Sequence, residues 1–152
     1  MTNRGYCGIG IDCAKSNLNI GTLFRSSFCF GADFIFTINK RYTKQKSDTP
    51  KAWRHLPLYH YRDVNDFIEH LPYDCKLIGV EILPEAENLV HFVHPERAIY
   101  LLGAEDVGLS ENTLKMCHHK IQIGYAAQCL NVAIAGSIIL YDRITKLNNR
   151  LI

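Results

Sequence analysis

Three polar segments of the sequence contain the side chains whose types and spacing could do chemistry. The first, residues 15–27, carries an amide, a glycine and a guanidinium at Asn19, Gly21 and Arg25. The second, residues 103–110, places Glu105 between two glycines, and the third, residues 124–131, ends in an asparagine. Each segment follows an apolar run, and at the end of such a run backbone N–H groups and helix starts converge on bound ligands.

Each segment also has a simpler interpretation when it is taken alone. A glycine behind a strand is usually part of a tight turn, and an arginine on a helix is usually a surface charge. The joint appearance of the three segments, in this order and each behind an apolar run, favours one shared binding site.

Apolar runs alternate with helical spacing along the chain. Helices are predicted to begin near Leu18, Val64, Ser110 and Leu130, with a further short helical piece between the fourth and fifth strands. Strands separated by helices predict an α/β fold with a parallel sheet covered on both faces, and we expect residues 1–152 to form one domain. The predicted strands are Tyr6–Ile11, Asp33–Ile38, Leu56–Tyr61, Lys76–Ile82, Arg97–Gly103 and Lys120–Gly124.

The first predicted helix has one apolar face and a defined end. Gly31 is a plausible stop signal because glycine adopts the left-handed conformation that follows many helices. The residues that share the apolar face are Ile20, Leu23, Phe24, Ser27 and Phe28.

Composition limits the class of protein. The chain has 152 residues, 47% of them hydrophobic, with neither an apolar run long enough to span a membrane nor a recognisable signal peptide. Scattered cysteines without a CxxC pair are typical of reduced, mostly buried thiols in a cytoplasmic protein. The six cysteines are Cys7, Cys13, Cys29, Cys75, Cys117 and Cys129.

The net charge is only +2, but positive charge is concentrated between Asn39 and His55. Tyr42 and Trp53 are interleaved with the basic residues there, and such a loop suits contact with a nucleic-acid backbone, with rings free to stack on bases. A solvated, mobile loop is an equally good interpretation of this segment alone. The basic residues are Lys40, Arg41, Lys44, Lys46, Lys51 and Arg54.

Three motifs together resemble the SpoU (TrmH-like) branch of the SPOUT superfamily, the knotted RNA 2′-O-ribose methyltransferases. The resemblance spans nearly the whole chain. Gln122 and Cys129 depart from the pattern, because the family usually has Pro and Ser there. The matching residues are Asn19, Gly21, Arg25 and Ser26 in the first motif, Gly103, Glu105, Gly108 and Leu109 in the second, and Ile121, Leu130, Asn131 and Val132 in the third.

The resemblance implies a deep C-terminal trefoil knot and S-adenosylmethionine as cofactor, bound in a bent form and converted to S-adenosylhomocysteine. On this basis Gly103 would let the adenosyl group lie against the backbone, and Gly108 would let the chain fold back. The residues that it places at the cofactor are Leu102, Gly103, Gly108, Ile121, Ile123, Cys129 and Leu130.

The resemblance also assigns the catalytic residues as Arg25, Asn19, Glu105 and Asn131. A ribose 2′-hydroxyl must lose its proton as it attacks the methyl carbon, and Arg25 would hold the RNA phosphate and assist that loss. Because a guanidinium is normally a permanent cation, Arg25 is either the general base or an electrostatic positioner. Methyl transfer from a sulfonium is already downhill, so no metal is expected.

The implied substrate is RNA, which Arg25, Ser26 and the basic residues between Asn39 and His55 would contact. We expect tRNA, because a catalytic domain without an added RNA-binding extension suits a small RNA better than rRNA. An rRNA 2′-O-methyltransferase, or a catalytically weak RNA-binding relative that keeps the knot, is the alternative.

The remaining candidate residues have structural interpretations. Adjacent histidines at His118 and His119 point in different directions and lack partner ligands at zinc spacing. The cysteines are interpreted as packing thiols because no His-paired arrangement is evident. The histidines expected at the surface or in turns are His55, His60, His70, His91 and His94.

The last helix, Leu130 to Leu147, is apolar on more than one face, whereas a helix that caps a small sheet needs one apolar stripe. Related enzymes are two-fold dimers through this helix, which implies a homodimer with each Arg25 near the partner's cofactor pocket. Small residues such as Ala135 and Gly136 would let the helices of two copies approach closely.

Overall fold

A computed structural model describes residues 5–125 and 128–149. Within these residues the chain forms a sheet of seven strands in the order β3-β2-β1-β6-β4-β7-β5, and every paired strand is parallel to its neighbour. The strands are β1 (Tyr6–Asp12), β2 (Phe34–Ile38), β3 (Leu58–Tyr61), β4 (Lys76–Val80), β5 (Glu87–Asn88), β6 (Arg97–Leu102) and β7 (His119–Gln122). The helices are α1 (Asn17–Cys29), α2 (Val64–Glu69), α3 (Glu111–Met116) and α4 (Val132–Asn149).

Helices cover both faces of the sheet, as the sequence predicted. Successive strand residues point to opposite faces, and β2 shows this because Ile35 joins one buried cluster while Phe34 and Phe36 join the other. The first cluster contains residues of α1 and α4, and the second contains Phe67 of α2 and Leu114 of α3. Both clusters meet the central strand β6, which is buried from Ala98 onward.

The helix ends follow local rules. The Ser16 hydroxyl caps α1 by accepting from the Asn19 N–H, and Gly31 lies just beyond the helix with φ of +71°. Asp63 and Ser110 cap α2 and α3 in the same way. Phe28 was predicted on the buried face of α1 but is 38% exposed, because its ring stacks on that of His55 outside the core.

The predicted helical piece between β4 and β6 is wrong. Residues 83–96 form turns and the two-residue strand β5, which pairs with β7 at the edge of the sheet. The Leu89 N–H donates to the Gln122 carbonyl, so backbone groups that a helix would use are taken by the sheet. His94, predicted at the surface, is 1% exposed in this segment.

α4 and α1 pack side by side, and this contact explains the glycine at position 136. A Cβ on Gly136 would lie 2.3 Å from Leu23 Cδ1 of α1, and Ala135 is also buried. The prediction that these residues face a second copy is therefore wrong, because their own chain covers them. The large apolar side chains of this region that remain exposed are Leu130, Ile134, Ile138 and Tyr141.

Half of the cysteines are at the surface, which corrects the prediction of mostly buried thiols. Cys13, Cys29 and Cys129 are exposed, whereas Cys7 and Cys75 are buried. Burial raises the pKa of the Cys7 thiol to about 12, so that this group is a neutral packing side chain. None of the described helices is long and apolar enough to span a membrane. The trefoil knot stays a prediction.

Candidate active site

The three polar segments meet at the carboxyl edge of the sheet, where β1, β6 and β7 end. The Glu105 carboxylate lies at the centre, since its Oε1 accepts from Asn19 Nδ2 at 2.9 Å and from Asn131 Nδ2 at 2.9 Å. Asn131 Nδ2 also lies 3.1 Å from Asn19 Oδ1. Side chains far apart in the sequence therefore form one hydrogen-bonded cluster.

The same cluster begins the last helix. Asn131 Oδ1 accepts from the Ala133 N–H at 2.9 Å and the Ile134 N–H at 3.2 Å, and Glu105 Oε1 accepts from the Val132 N–H at 3.2 Å. These bonds satisfy backbone donors that a helix start leaves free, and a carboxylate is stabilised by the positive end of the helix dipole. Glu105 thus joins the second motif to α4.

The turn that carries Glu105 is tight. The Gly108 N–H donates to the Ala104 carbonyl at 2.8 Å, and Gly108 has φ of +67°, which disfavours a side chain. A Cβ on Gly103 would lie 2.4 Å from the Gly108 carbonyl carbon. The requirement for glycine at position 103 therefore arises within the chain itself, in addition to any ligand.

A cavity of about 380 Å³ opens beside this turn. Its volume lies within the usual range for small-molecule sites, and its wall is partly apolar. Lining residues that the sequence predicted for the cofactor are Leu102, Gly103, Gly108, Ile123, Cys129 and Leu130. Ile121, also predicted, is fully buried in the core instead, and its carbonyl accepts from the Glu81 N–H at 3.0 Å.

Every charged residue among the described lining residues is acidic: Glu81, Glu105, Asp106 and Glu111. Lys15 pairs with Asp106 at the rim, and this hydrogen bond lowers the pKa of the Asp106 carboxyl. A cavity with this wall suits a ligand that is partly apolar and carries positive charge. Glu81 was not predicted; the available signal was an acidic residue inside the apolar run Lys76–Ile82, whose strand ends at Val80 in the structure.

Arg25 lies on the exposed side of α1. Its guanidinium makes no hydrogen bond or ion pair with the rest of the described chain, and the amides of Asn19 and Asn131 bond to Glu105 rather than to Arg25. The hydroxyl of its neighbour Ser26 accepts from Ser137 Oγ at 2.7 Å, which ties α1 to α4. Arg25 is therefore free to bind a group supplied from outside the chain.

The basic segment of residues 39–55 is anchored beside the first motif. Lys40 Nζ donates to the Lys15 carbonyl at 2.5 Å, and the Ser47 hydroxyl donates to the Leu18 carbonyl at 3.1 Å. A Cβ on Gly21 would lie 2.6 Å from Ser47 Oγ, so the glycine of the first motif makes room for this segment. These contacts attach the segment to the start of α1.

The aromatic residues of this segment are less available than predicted. Tyr42 is half-buried and packs edge-on against Phe24 of α1, with ring centroids 5.0 Å apart. Lys44 and Arg54 lie over the Trp53 ring at 4.0 Å and 5.1 Å. The exposed cations of the segment are Arg41, Lys44, Lys46, Lys51 and Arg54.

The histidines near β7 have structural contacts. His118 Nδ1 accepts from the Leu77 N–H at 2.9 Å, and His119 packs edge-on against Phe92. In the part of the chain that the structure describes, no three His, Cys, Asp or Glu residues are grouped in a way that could hold a metal ion.

The fold and this site define a class of protein, an all-parallel α/β domain in which strand-end loops enclose a small-molecule cavity beside a carboxylate–amide cluster. The chain belongs to the SpoU rRNA Methylase family, whose family model matches residues 9–141. This range contains all four predicted catalytic residues, and the resemblance found in the sequence is confirmed.

One curated relative and several solved structures are similar to the chain. The mouse tRNA (guanosine(18)-2′-O)-methyltransferase TARBP1 is 25% identical over 134 residues, which is 82% of this chain and 8% of that protein. The SpoU methyltransferase AviRb from Streptomyces viridochromogenes has a TM-score of 0.81 at 23% identity, covering 95% of this chain and 61% of that one. The chain therefore spans only a small part of the length of its curated relative.

Two further structures add to this similarity. AviRb in complex with the cofactor AdoMet has a TM-score of 0.83 at 21% identity, covering 97% of this chain and 58% of that one. A structure described as giving insights into the 2-OH methylation of C/U34 on tRNA has a TM-score of 0.83 at 19% identity, covering 97% and 99% of the two chains. At these identities the structural similarity shows the fold alone.

Proposed function

We propose that this chain is an S-adenosylmethionine-dependent RNA methyltransferase that modifies a ribose 2′-hydroxyl, with tRNA as substrate. The observation that carries the proposal is the cluster of Asn19, Glu105 and Asn131, whose Glu105 lines a ligand-sized cavity. Membership of the SpoU rRNA Methylase family supports RNA methylation. The names of the mouse relative and of the C/U34 structure support tRNA and the 2′ position.

The cavity fits the proposed cofactor. Apolar residues such as Leu102 and Leu130 offer a surface for an adenine ring, and the acidic wall complements a sulfonium and an α-ammonium group. The tight turn of residues 103–109 brings backbone close to the cavity. When bound, S-adenosylmethionine supplies a methyl group that is activated by its sulfonium sulfur.

We assign binding and orientation of the RNA to Arg25. Its exposed guanidinium has five donors in a planar fork, which matches a phosphate better than a point charge does. We favour phosphate binding and electrostatic stabilisation of the developing ribose oxyanion over proton abstraction by the guanidinium. Asn19 and Asn131 would keep Glu105 in place and bring the ribose into line with the methyl group.

We further propose that the enzyme is a homodimer in which each Arg25 reaches the partner's cavity. The exposed side of α4 presents an apolar stripe of Ile134, Ile138 and Tyr141, spaced at three or four residues along the helix, and the exposed Leu130 lies just before the helix begins. Such a stripe suits the self-complementary contact of a two-fold dimer. This arrangement would bring a guanidinium to a cavity whose charged lining residues, among those described, are all acidic in a single chain.

The experiment is methyl transfer from labelled S-adenosylmethionine to purified tRNA or rRNA, followed by nucleoside mass spectrometry. We expect a 2′-O-methylated nucleoside in tRNA. The name of the family favours rRNA as the second candidate, and label in rRNA alone would establish it. Cofactor binding by calorimetry with no transfer to either RNA would indicate the catalytically weak relative.

A further inference from the structure

Glu81 lies at a junction in the wall of the cavity. It is the first residue after β4, its side chain is half-buried, and it lines the cavity. Its backbone N–H donates to the Ile121 carbonyl at 3.0 Å, which extends the pairing of β4 with β7. The base of this side chain is therefore fixed by the sheet.

Both oxygens of the Glu81 carboxylate accept hydrogen bonds from backbone N–H groups. Oε2 accepts from the Leu109 N–H at 2.9 Å, and Oε1 accepts from the Ile82 N–H at 3.0 Å. Hydrogen bonds to an ionised acceptor are about twice as strong as those between neutral groups. The bond to Leu109 links the end of β4 to the turn of residues 103–109.

The turn is shaped to receive this carboxylate. A Cβ on Gly108 would lie 2.2 Å from Glu81 Oε2, so that the backbone approaches the carboxylate as closely as only glycine allows. Other side chains of the turn also bind the rest of the chain: Glu105 accepts from Asn19, Asn131 and the Val132 N–H, and Asp106 pairs with Lys15. Glu81 supplies the hydrogen bond that attaches the turn on the β4 side, where the turn forms the cavity wall.

We propose that Glu81 is a positioning residue that holds the turn of residues 103–109 in the conformation that binds the adenosyl cofactor. The inference rests on the proposed function, since it concerns the same cavity. A wall that is already ordered spares the ligand the entropic cost of ordering it on binding. Without the carboxylate, the Leu109 N–H has no acceptor and the turn is released on the β4 side.

The test compares Glu81→Ala and Glu81→Gln with wild type, using calorimetry with S-adenosylmethionine and steady-state methylation. We expect Glu81→Ala to raise the Kd and the KM for S-adenosylmethionine at least tenfold, while the KM for RNA stays within twofold. Glu81→Gln retains one carbonyl oxygen that can accept from Leu109, so it should restore part of the affinity. A role in stability alone would not separate the two KM values in this way.

Glu85→Gln is the matched control. Glu85 lies on the same segment and is exposed, its carboxylate is 3.9 Å from Lys120 Nζ, and it does not line the cavity. The control removes the same charge nearby and should leave the Kd for S-adenosylmethionine within twofold of wild type.

The outcomes separate this inference from the proposed function. Failure of wild type to bind S-adenosylmethionine would contradict the proposed function itself. Tight binding by wild type with unchanged affinity in Glu81→Gln and Glu81→Ala would overturn only the role of Glu81. If Glu81→Ala does not fold, Glu81→Met decides, because it is of similar size and has no oxygen to accept from Leu109, and an affinity within twofold of wild type overturns the inference.

Discussion

At the scale of single residues, the site contains three side chains that hydrogen-bond to one another and an exposed arginine, Arg25, that is available to a ligand. Asn19, Glu105 and Asn131 satisfy one another through hydrogen bonds of 2.9 to 3.1 Å, whereas the Arg25 guanidinium is exposed. Glu105 also caps the start of α4. Replacing a member of the cluster would therefore disturb structure and site together, while replacing Arg25 tests function almost alone.

We predict that Arg25→Ala lowers turnover by at least 100-fold and leaves the affinity for S-adenosylhomocysteine nearly unchanged, because Arg25 acts on the RNA. Arg25→Lys should restore little, since an ammonium cannot replace the planar fork. Methylation assays and calorimetry measure the two effects. Arg97→Ala, an exposed arginine at the amino edge of the sheet, is the control and should keep its turnover. Near wild-type turnover in Arg25→Ala would refute the assignment.

His94 gives a prediction about pH. Its Nε2 lies 2.8 Å from Asp142 Oδ2 and its Nδ1 lies 2.5 Å from the Tyr100 hydroxyl. Burial lowers the pKa of His94 to about 4, despite the opposing hydrogen bond to Asp142, with the nearby cations Arg143 and Lys146 lowering it further. The neutral ring can then donate from Nε2 to Asp142 and accept at Nδ1 from Tyr100.

Because the pKa of His94 in the folded chain is below its ordinary value, the unfolded chain binds the proton more readily. The contribution of His94 to stability is therefore complete above about pH 6.5 and is lost as the pH falls toward 4, by roughly 3 kcal/mol at most. Urea unfolding at pH 7, 5.5 and 4.5 measures this loss. His94→Gln should show a shallower fall than wild type, and the exposed His70→Gln should follow wild type. Parallel curves for wild type and His94→Gln would contradict the prediction.

At the scale of elements, the basic segment of residues 39–55 is placed by its packing on α1. Gly21 leaves space for Ser47, and the carboxylate of the buried Asp48 accepts from the Ala52 N–H at 2.8 Å. The segment therefore has a defined position beside the first motif. Its cations are held beside α1 by the fold, and a charged segment in that position can contribute to RNA affinity.

We predict that a triple variant with Lys44→Ala, Lys46→Ala and Lys51→Ala binds tRNA more weakly than wild type. The slope of log K against log salt should become shallower by about one for each phosphate that is no longer neutralised. The affinity for S-adenosylmethionine should not change. Fluorescence titrations at several salt concentrations measure the slope. The control combines Lys76→Ala with Lys115→Ala, both away from the segment. An unchanged slope in the triple variant would exclude this segment from the RNA interface.

At the scale of the whole molecule, the exposed stripe of α4 determines the expected assembly. Ile134 is 53% exposed and Tyr141 is 59% exposed, and burying such side chains releases about 25 cal/mol for each Å² of apolar surface. The residues on the other sides of α4 are buried or partly buried within their own chain. One helix therefore has an inner face that completes the core and an outer face that is free for a second copy.

We predict that sedimentation at micromolar concentration gives about twice the chain mass of 17.3 kDa. Ile134→Glu combined with Ile138→Glu should give monomers, because it buries unpaired charge in the contact, and methylation should disappear with the dimer. Val90→Glu, a change of the same kind at a side chain 59% exposed elsewhere, should leave the dimer intact. A monomer that still methylates RNA would overturn the idea of a site built from two chains.

The order of strands and helices could be predicted from the sequence because it depends on local rules. Apolar runs of strand length, the caps at Ser16 and Ser110 and the stop at Gly31 are each decided within a few residues. The three polar segments were also recognisable, because parallel strands bring all their carboxyl ends to one edge. Periodicity failed at residues 83–96, where pairing with β7 competes with helix formation.

Other features were decided only by the tertiary structure, because they depend on what lies across the fold from a residue. The isoleucine side chain is equally apolar at positions 121 and 134, yet Ile121 is buried in the sheet and Ile134 is exposed. His94 became buried because β6 and α4 enclose it, and Gly103 is required because the Gly108 backbone lies against it. The side-chain partners of Glu105 are 26 and 86 residues away along the chain, and Leu109 is 28 residues from Glu81. No local pattern encodes such distances, since burial and hydrogen bonding between distant segments are settled only when the chain has closed around its core.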